Sequence, residues 1–410
     1  MDTTPRSSVR RLVAGLMAAC LWLTALTVSA QNTTNLPTSM YGIGELVSTE
    51  GGRYAGMGNV GIAVNRIGFQ NTLNPASITR MDTTCFTFDV GATASYARYS
   101  FLSEQSSDLS GNPNRFSLGL RVAPRWYLMV GAAPYSSCGY LIYSGDEVEG
   151  MVGTTIYSLF AGEGGLYRFY ATNAFILNKH LSVGVNVGMV LGKTTQSETQ
   201  ESAVVSYTSK QKAFYGDIGL YYEVNITPKQ RWAAGVVFSP RTKIYRDNDL
   251  TYYNSSTSEE LDKVYHFGKI YLPMHIGGGL SVTTPRWVVT ADYNYVDWSK
   301  NTSNYTSMRY ENQHKINVGG IYVTKPRLPR STEYMAGLGF SNSYINLKNG
   351  KMYYLEGSLG VSFPIRYSFL SVGATYRQQI NSRKGMMQEG RVTVNVNVTF
   401  GERISKSRLR

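Results

Sequence analysis

From Arg391 to Phe400 the chain alternates strictly, with Val392, Val394, Val396, Val398 and Phe400 on one face and Thr393, Asn395, Asn397 and Thr399 on the other. Only a β-strand sorts side chains with a period of two, because successive Cβ atoms leave opposite sides of the backbone. Leu181 to Leu191 repeats the pattern, setting Leu181, Val183, Val185, Val187 and Met189 against Ser182, Gly184, Asn186 and Gly188. From Phe86 onward about fourteen such segments follow one another, each on the order of ten residues or more, the length that crosses a bilayer as a tilted strand. They centre near Val90, Leu118, Val130, Phe169, Val185, Leu220, Val236, Ile276, Ala291, Val318, Leu338, Leu359, Val372 and Val396.

The connections between these segments fall into two sets. Short ones carry turn formers and basic groups: Pro124-Arg125, Asn178 to His180, Thr227 to Gln230, Pro285-Arg286 and Ile365-Arg366. Longer polar or Gly-rich ones cover residues 103–114, 141–165, 194–210, 247–262, 299–304 and 381–390. Short turns at one end, long loops at the other and an even count predict an all-β fold, an antiparallel transmembrane β-barrel of about fourteen strands. Soluble sandwiches lack that asymmetry. Closure leaves no strand edge unpaired where no water can satisfy it. One face of the strands then lines a lumen that takes Arg121, Arg168, Asp217, Glu223, Asp292, Lys315, Glu356 and Arg377, charges too costly to place against lipid. The high count of 31 Tyr also gains a cause. Tyr96, Tyr99, Trp126, Tyr127, Trp232, Trp287, Trp298, Tyr310, Tyr334 and Tyr353 sit near strand ends, where amphipathic rings favour the headgroup level.

Arg6, Arg10 and Arg11 precede an apolar run from Leu12 to Val28 that ends in Val28-Ser29-Ala30, the plan of a cleaved signal peptide over residues 1–30. A lipoprotein signal ending at Cys20 fits less well, since mostly apolar residues continue beyond it. The expected location is therefore the outer membrane of a Gram-negative bacterium. The formal net charge is +13, but the basic residues are scattered singly, which argues against nucleic acid as a partner. His180, His266, His275 and His314 lie far apart without metal-ligand spacing, and no nucleophile elbow, phosphate loop or dinucleotide fingerprint occurs. No enzyme, cofactor or metal is expected. Cys85 and Cys138 belong at opposite ends of the wall, too far apart to bridge.

Residues 31–83 break the alternation and are rich in glycine, the mark of an irregular plug ahead of a barrel. Three elements stand there in order: Gly51-Gly52-Arg53-Tyr54-Ala55-Gly56-Met57-Gly58, then Gly61-Ile62-Ala63, then Asn74-Pro75-Ala76-Ser77-Ile78 leading into the first strand. Together they resemble the N-terminal hatch of the FadL/TodX family of outer-membrane transporters, with Arg53, Gly56, Met57, Gly58, Asn74, Pro75 and Ala76 carrying the motif. The domain plan is a signal peptide (1–30), a hatch (31–83), a barrel (84–400) and a basic tail (401–410). The resemblance implies a monomer that takes up hydrophobic small molecules passively, fatty-acid-like or aromatic, among outer-membrane lipid and lipopolysaccharide. It further implies capture at an outer apolar patch, passage to a lumenal pocket, and hatch movement or lateral escape.

Family members carry a kink in the third strand that opens the wall; here Pro134, Tyr135, Ser136 and Gly139 stand at that place. The alternative is a strand that simply ends at Pro134. The chain departs from the fatty-acid members in its loops 196–210 and 247–262, which are polar. The apolar candidate for capture is the loop after the third strand, with Met151, Ile156, Leu159 and Phe160. A second resemblance keeps another role open. FadL-like barrels of the PorV and PorQ kind serve type IX secretion in Bacteroidetes as shuttle or assembly proteins, with secretion-system components as partners. An open general porin is disfavoured by the hatch.

Overall fold

The computed structural model describes residues 36–47, 52–66, 68–81, 85–101, 104–147, 155–264, 269–303, 306–328, 330–347, 350–365, 368–381, 383 and 386–403. The signal segment 1–30, Met151 and the tail beyond 403 lie outside the described residues. Fourteen antiparallel strands close into a barrel. They are β1 (Cys85–Phe101), β2 (Glu104–Ala123), β3 (Trp126–Ser137, continued by Tyr140–Glu147), β4 (Thr155–Ile176), β5 (Leu181–Gln200), β6 (Ala203–Thr227) and β7 (Gln230–Ser239, continued by Thr242–Asn254). There follow β8 (Met274–Thr283, preceded by Glu259–Val264 and Ile270–Leu272), β9 (Trp287–Asp297), β10 (Gln313–Val323), β11 (Glu333–Asn342), β12 (Met352–Ile365), β13 (Ser368–Asn381) and β14 (Gln388–Arg403). Each strand pairs with its sequence neighbours, and β1 closes on β14 from Cys85↔Arg403 to Ser100↔Gln388. All fourteen segment centres read from the alternation fall one to a strand.

Burial is inverted relative to a soluble β protein. On β14, Val392, Val394 and Val396 face outward and are exposed, while Asn397 and Thr399 are buried inside. The same outward set includes Phe169, Ile218, Leu338 and Leu359. An apolar belt around a polar interior requires hydrocarbon as its solvent. Within the lumen, Arg168, Asp217 and Asp292 are buried, as the strand-face assignment requires.

Two expectations are corrected. The stretches 103–114, 141–165, 194–210 and 247–262 are largely sheet: β5 and β6 pair from Leu181↔Tyr222 as far as Gln200↔Ala203, and β6 pairs onward with β7 from Lys212↔Tyr245 to Ala203↔Asn254. Beyond the bilayer the outer face of a strand meets water in place of lipid, so the apolar face that produces alternation is lost while the backbone ladder continues. The aromatic set also divides. Tyr96, Trp126, Trp232, Trp287 and Tyr334 are exposed on the outer face, but Tyr99, Tyr127 and Trp298 are buried inside. Closeness to a strand end does not reveal which face a ring takes.

Ahead of β1 the hatch fills the lumen with short turns, at Pro37–Met40, Ala55–Met57 and Pro75–Arg80, and a two-residue strand at Glu45–Leu46.

Candidate functional site: the hatch, the lid and a break in the wall

The hatch is held by close approach of backbone to backbone. Ala55–Met57 lies against Gly360 and Gly337 of the wall, and Gly58 adopts a left-handed φ of 78° with Gly337 directly beside it. A Cβ on Gly56 would stand 2.5 Å from the Gly360 Cα, and one on Gly337 would overlap the Met57 carbonyl. Gly235 takes Ile62 in the same way, and Gly184 takes Pro75. Without side chains on these inward strand positions the hatch can sit flat on the sheet.

Specific polar contacts fix the register. Asn74 caps the Pro75–Arg80 turn by accepting the Ala76 N–H at 3.0 Å, and its amide donates to the carbonyls of Ile62 (2.8 Å) and Leu220 (3.0 Å). Pro75 at the first position has no N–H to leave unpaired, and Ala76 packs on Tyr221 and Ala233. Asp292 on β9 accepts the Gly61 and Ile62 N–H groups at 2.6 and 2.9 Å. Arg53 is buried; it donates to Glu333 at 2.9 Å and to Ser362 at 3.2 Å, and its guanidinium lies 3.3 Å from the Phe369 ring centroid. Arg66 binds the other oxygen of Glu333 at 2.6 Å. The motif residues thus anchor the plug, while Met57 is a fully buried apolar contact packed in a cluster with Tyr54, Phe69 and Ile321.

Above the hatch lies a second closure that sequence reading missed. The connections after β9 and after β11 fold inward and pair as a small sheet, Met308–Tyr310 with Ile345–Leu347. Trp298 is fully buried there, stacked on Tyr344 at 4.5 Å and Tyr310 at 5.9 Å, and this lid packs on Ile43 of the hatch. The Trp298-Tyr310-Tyr344 set was the available signal, since aromatics in polar loops need a core.

The wall breaks at β3. Pairing of β2 with β3 runs from Ala123↔Trp126 to Phe116↔Ala132 and stops there, although β2 continues on β1 to Glu104 and β3 continues on β4. Pro134 supplies no ladder donor, the β3–β4 register shifts between Pro134 and Ser136, and strand pairing resumes at Tyr140↔Gly162. The hatch lies along the resulting free edge of β3. Glu45 and Leu46 pair with Ser137 and Ser136, the Val47 N–H donates to the Tyr135 carbonyl at 3.1 Å, and the Leu36 N–H donates to the Gly139 carbonyl at 2.8 Å. The Glu45 carboxylate is clamped from the other side of the break by Arg377 of β13 at 2.5 Å and by Arg391 of β14 at 2.8 and 2.9 Å. Although burial opposes ionisation, the two guanidiniums outweigh it and hold the carboxyl down at about 2.

A cavity of about 270 Å³ lies between segment 36–47, the lid and the wall, lined in part by Tyr135, Arg168, Tyr215, His275, Lys315 and Trp298. A second of about 160 Å³ adjoins the break, beside Leu46, Asn114, Pro134, Ser136 and Tyr167. Cys138, just past the break, is free and buried. The residues expected to form a capture loop sit in β4 instead, where Ile156, Leu159 and Phe160 pair with Asp146, Tyr143 and Ile142. Strand alternation sends Ile156 and Phe160 to one face and Leu159 to the other, so they do not make one patch. Apolar residues in a polar neighbourhood read as a loop because composition alone does not reveal their pairing partner, Tyr140–Glu147.

A closed fourteen-strand antiparallel barrel has the architecture of FadL/TodX-type outer-membrane proteins. The chain belongs to the BamG family, whose model matches residues 12–407. Among solved structures it resembles CymD, a monoaromatic hydrocarbon channel, with 17% identity over 88% of this chain and 99% of that one and a TM-score of 0.59. The toluene transporter TbuX of Ralstonia pickettii shows 14% identity over 87% and 99%, TM-score 0.59, and the toluene transporter TodX of P. putida 13% over 86% and 98%, TM-score 0.60. At these identities the likeness is one of fold. No curated protein matches the sequence.

Proposed function

We propose that the protein is an outer-membrane channel for passive uptake of hydrophobic or amphiphilic small molecules, which leave sideways through the break between β2 and β3. The observation that carries this reading is the edge of β3 that β2 leaves beyond Ala132, adjoining a cavity and covered by the hatch strand Glu45–Leu46. Toluene and monoaromatic hydrocarbons are the cargo named for the structures of like fold, and a small apolar molecule is the class that gains most from release into hydrocarbon. The mixed lining, with Arg168 and Lys315 beside Tyr135 and Tyr215, favours a molecule with one polar end.

The test is a lock. Leu46 and Ser136 are directly opposite in an antiparallel pair, a spacing that a disulfide can span. Oxidised Leu46→Cys/Ser136→Cys protein is expected to take up a fluorescent hydrophobic probe no faster than cells lacking the protein, with uptake restored by reductant. Unchanged flux in the oxidised protein would remove the lateral route. Capture is tested separately: replacing Ile156, Leu159 and Phe160 with Ser is expected to leave uptake within about twofold, because scattered apolar side chains make no binding patch.

A second reading, an accessory barrel that assembles with other outer-membrane components, is favoured by the tall sheet that β3 to β8 raise beyond the lid. Its outer strands expose Tyr143 and Tyr157, each over 70% exposed. Absence of flux together with a partner that co-purifies in stoichiometric amount would move this reading to first place.

A further inference from the structure

On the outside of the barrel, where the lid connections leave the wall, β10 to β12 carry a groove of about 620 Å³. It lies at the end of the long connections, the extracellular end of such a barrel. The wall is short on this side, with 11 residues in β9 and 10 in β11 against 20 in β5 and 25 in β6. Two outward aromatic walls flank the groove. His314 forms one, backed by the Tyr295 ring at 5.2 Å and by a hydrogen bond of 2.8 Å between its Nδ1 and the Tyr293 hydroxyl. Tyr353 forms the other, stacked on Phe340 at 6.0 Å. Between them stands the short Asn342, whose amide donates to the Asn312 carbonyl and whose side-chain oxygen accepts the His314 N–H, so the floor is rigid. Toward the bilayer the floor continues through Ile316 and Phe340, 53% and 47% exposed. At the upper end the Glu311 carboxylate accepts from Lys351 and, at 3.0 Å, from the Asn346 amide.

We infer that this groove is a docking site for a glycolipid of the outer leaflet, a lipid of the lipopolysaccharide class. Its lower half is continuous with the apolar belt through the exposed Val318, Leu338 and Leu355, so whatever fills it has acyl chains and already sits in that leaflet. Its upper half stands at the level where aromatic rings meet lipid heads. The Glu311 carboxylate there repels a bare phosphate, whereas carboxylate, ammonium, imidazole and phenol together answer hydroxyls, which both donate and accept. The exposed aromatic faces suit the C–H face of a sugar ring. Tyr310 lines the same groove and stacks inside the lid on Trp298 at 5.9 Å and Tyr344 at 6.3 Å, so a docked head touches lid and wall at once. The break lies between β2 and β3, away from these strands, and docking here does not depend on the lateral route.

The experiment is native mass spectrometry of the full-length protein in non-ionic detergent, titrated with a deep-rough lipopolysaccharide and, separately, with phosphatidylethanolamine and phosphatidylglycerol. A saturable lipopolysaccharide adduct is expected, weakened at least about tenfold in His314→Ala/Tyr353→Ala and unchanged in Phe169→Ala/Ile218→Ala. The second pair also faces outward, on β4 and β6, and controls for general loss of belt surface. All four side chains lie outside the lumen, and heat-modifiable migration on gels shows that both variants keep a folded barrel. No saturable adduct, an adduct unaffected by the first pair, or equal weakening by both pairs would overturn the inference. Equal affinity for either phospholipid would show an ordinary belt contact with no selection for a sugar head, and would overturn it as well.

Discussion

Glu45→Ala is expected to release segment 36–47 from the wall and open the break between β2 and β3. Glu45 pairs with the edge of β3, and its side chain binds Arg377 and Arg391 on the other side of the break. Removing one member of a buried ion cluster costs about 3–5 kcal/mol, because two guanidiniums are then left to share the Glu389 carboxylate. That shifts the docked-to-released balance by more than about a hundredfold. Limited proteolysis between residues 36 and 47 measures it directly, together with faster probe uptake; a segment as resistant as in the unaltered protein would show that backbone pairing alone holds it. The pH dependence follows from the depressed carboxyl. Ionised Glu45 stabilises the docked hatch fully above the ordinary value of 4.5, and this contribution disappears only as the pH falls through about 2. Protection of the segment is therefore expected to be flat from pH 7 to pH 5, and a release near pH 6 would contradict the clamp.

Gly337→Val is expected to push the hatch off its seat while leaving the barrel closed. A valine side chain at this position enters the Met57 backbone, which no rotamer can avoid. The turn Ala55–Met57 then loses its place, and with it the burial of Met57 and Val60, each about 1.5–3 kcal/mol. The strand itself keeps its ladder to β10 and β12, so the folded barrel should still resist detergent on unheated gels. Planar-bilayer recording is expected to show ion conductance that the unaltered protein lacks. Gly357→Val on β12 is the control, since a Cβ there meets only the tip of Leu338 at 3.8 Å; conductance in both variants would trace the effect to general loosening.

Strand existence was legible because lipid and lumen impose opposite demands on the two sides of one backbone. Val392 and Asn397 report that demand without any knowledge of their neighbours. The hatch was legible from Gly56, Gly58 and Asn74-Pro75-Ala76, short-range chemistry that needs little context. The lid was not, because Met308–Tyr310 and Ile345–Leu347 are short, and their pairing joins segments that sequence separates by two strands. The wall glycines were visible only as a Gly-rich polar face, as at Gly184; that Pro75 lies on this glycine depends on a contact between distant parts of the chain. The tall sheet beyond the belt escaped notice for a different reason, since residues it buries, such as Ser158, Ser209 and Asn248, are polar and give no apolar period.

By itself the sequence determined a closed, antiparallel barrel with a plug, because periodicity and turn chemistry are local and a bilayer admits few all-β solutions. Only the tertiary structure decided that the break in β3 is covered by Glu45–Leu46 and that Arg377 and Arg391 hold that cover. Each of these depends on closure, which brings residues hundreds of positions apart into contact, and on the register of strands around the wall, a quantity that alternation on a single strand cannot encode.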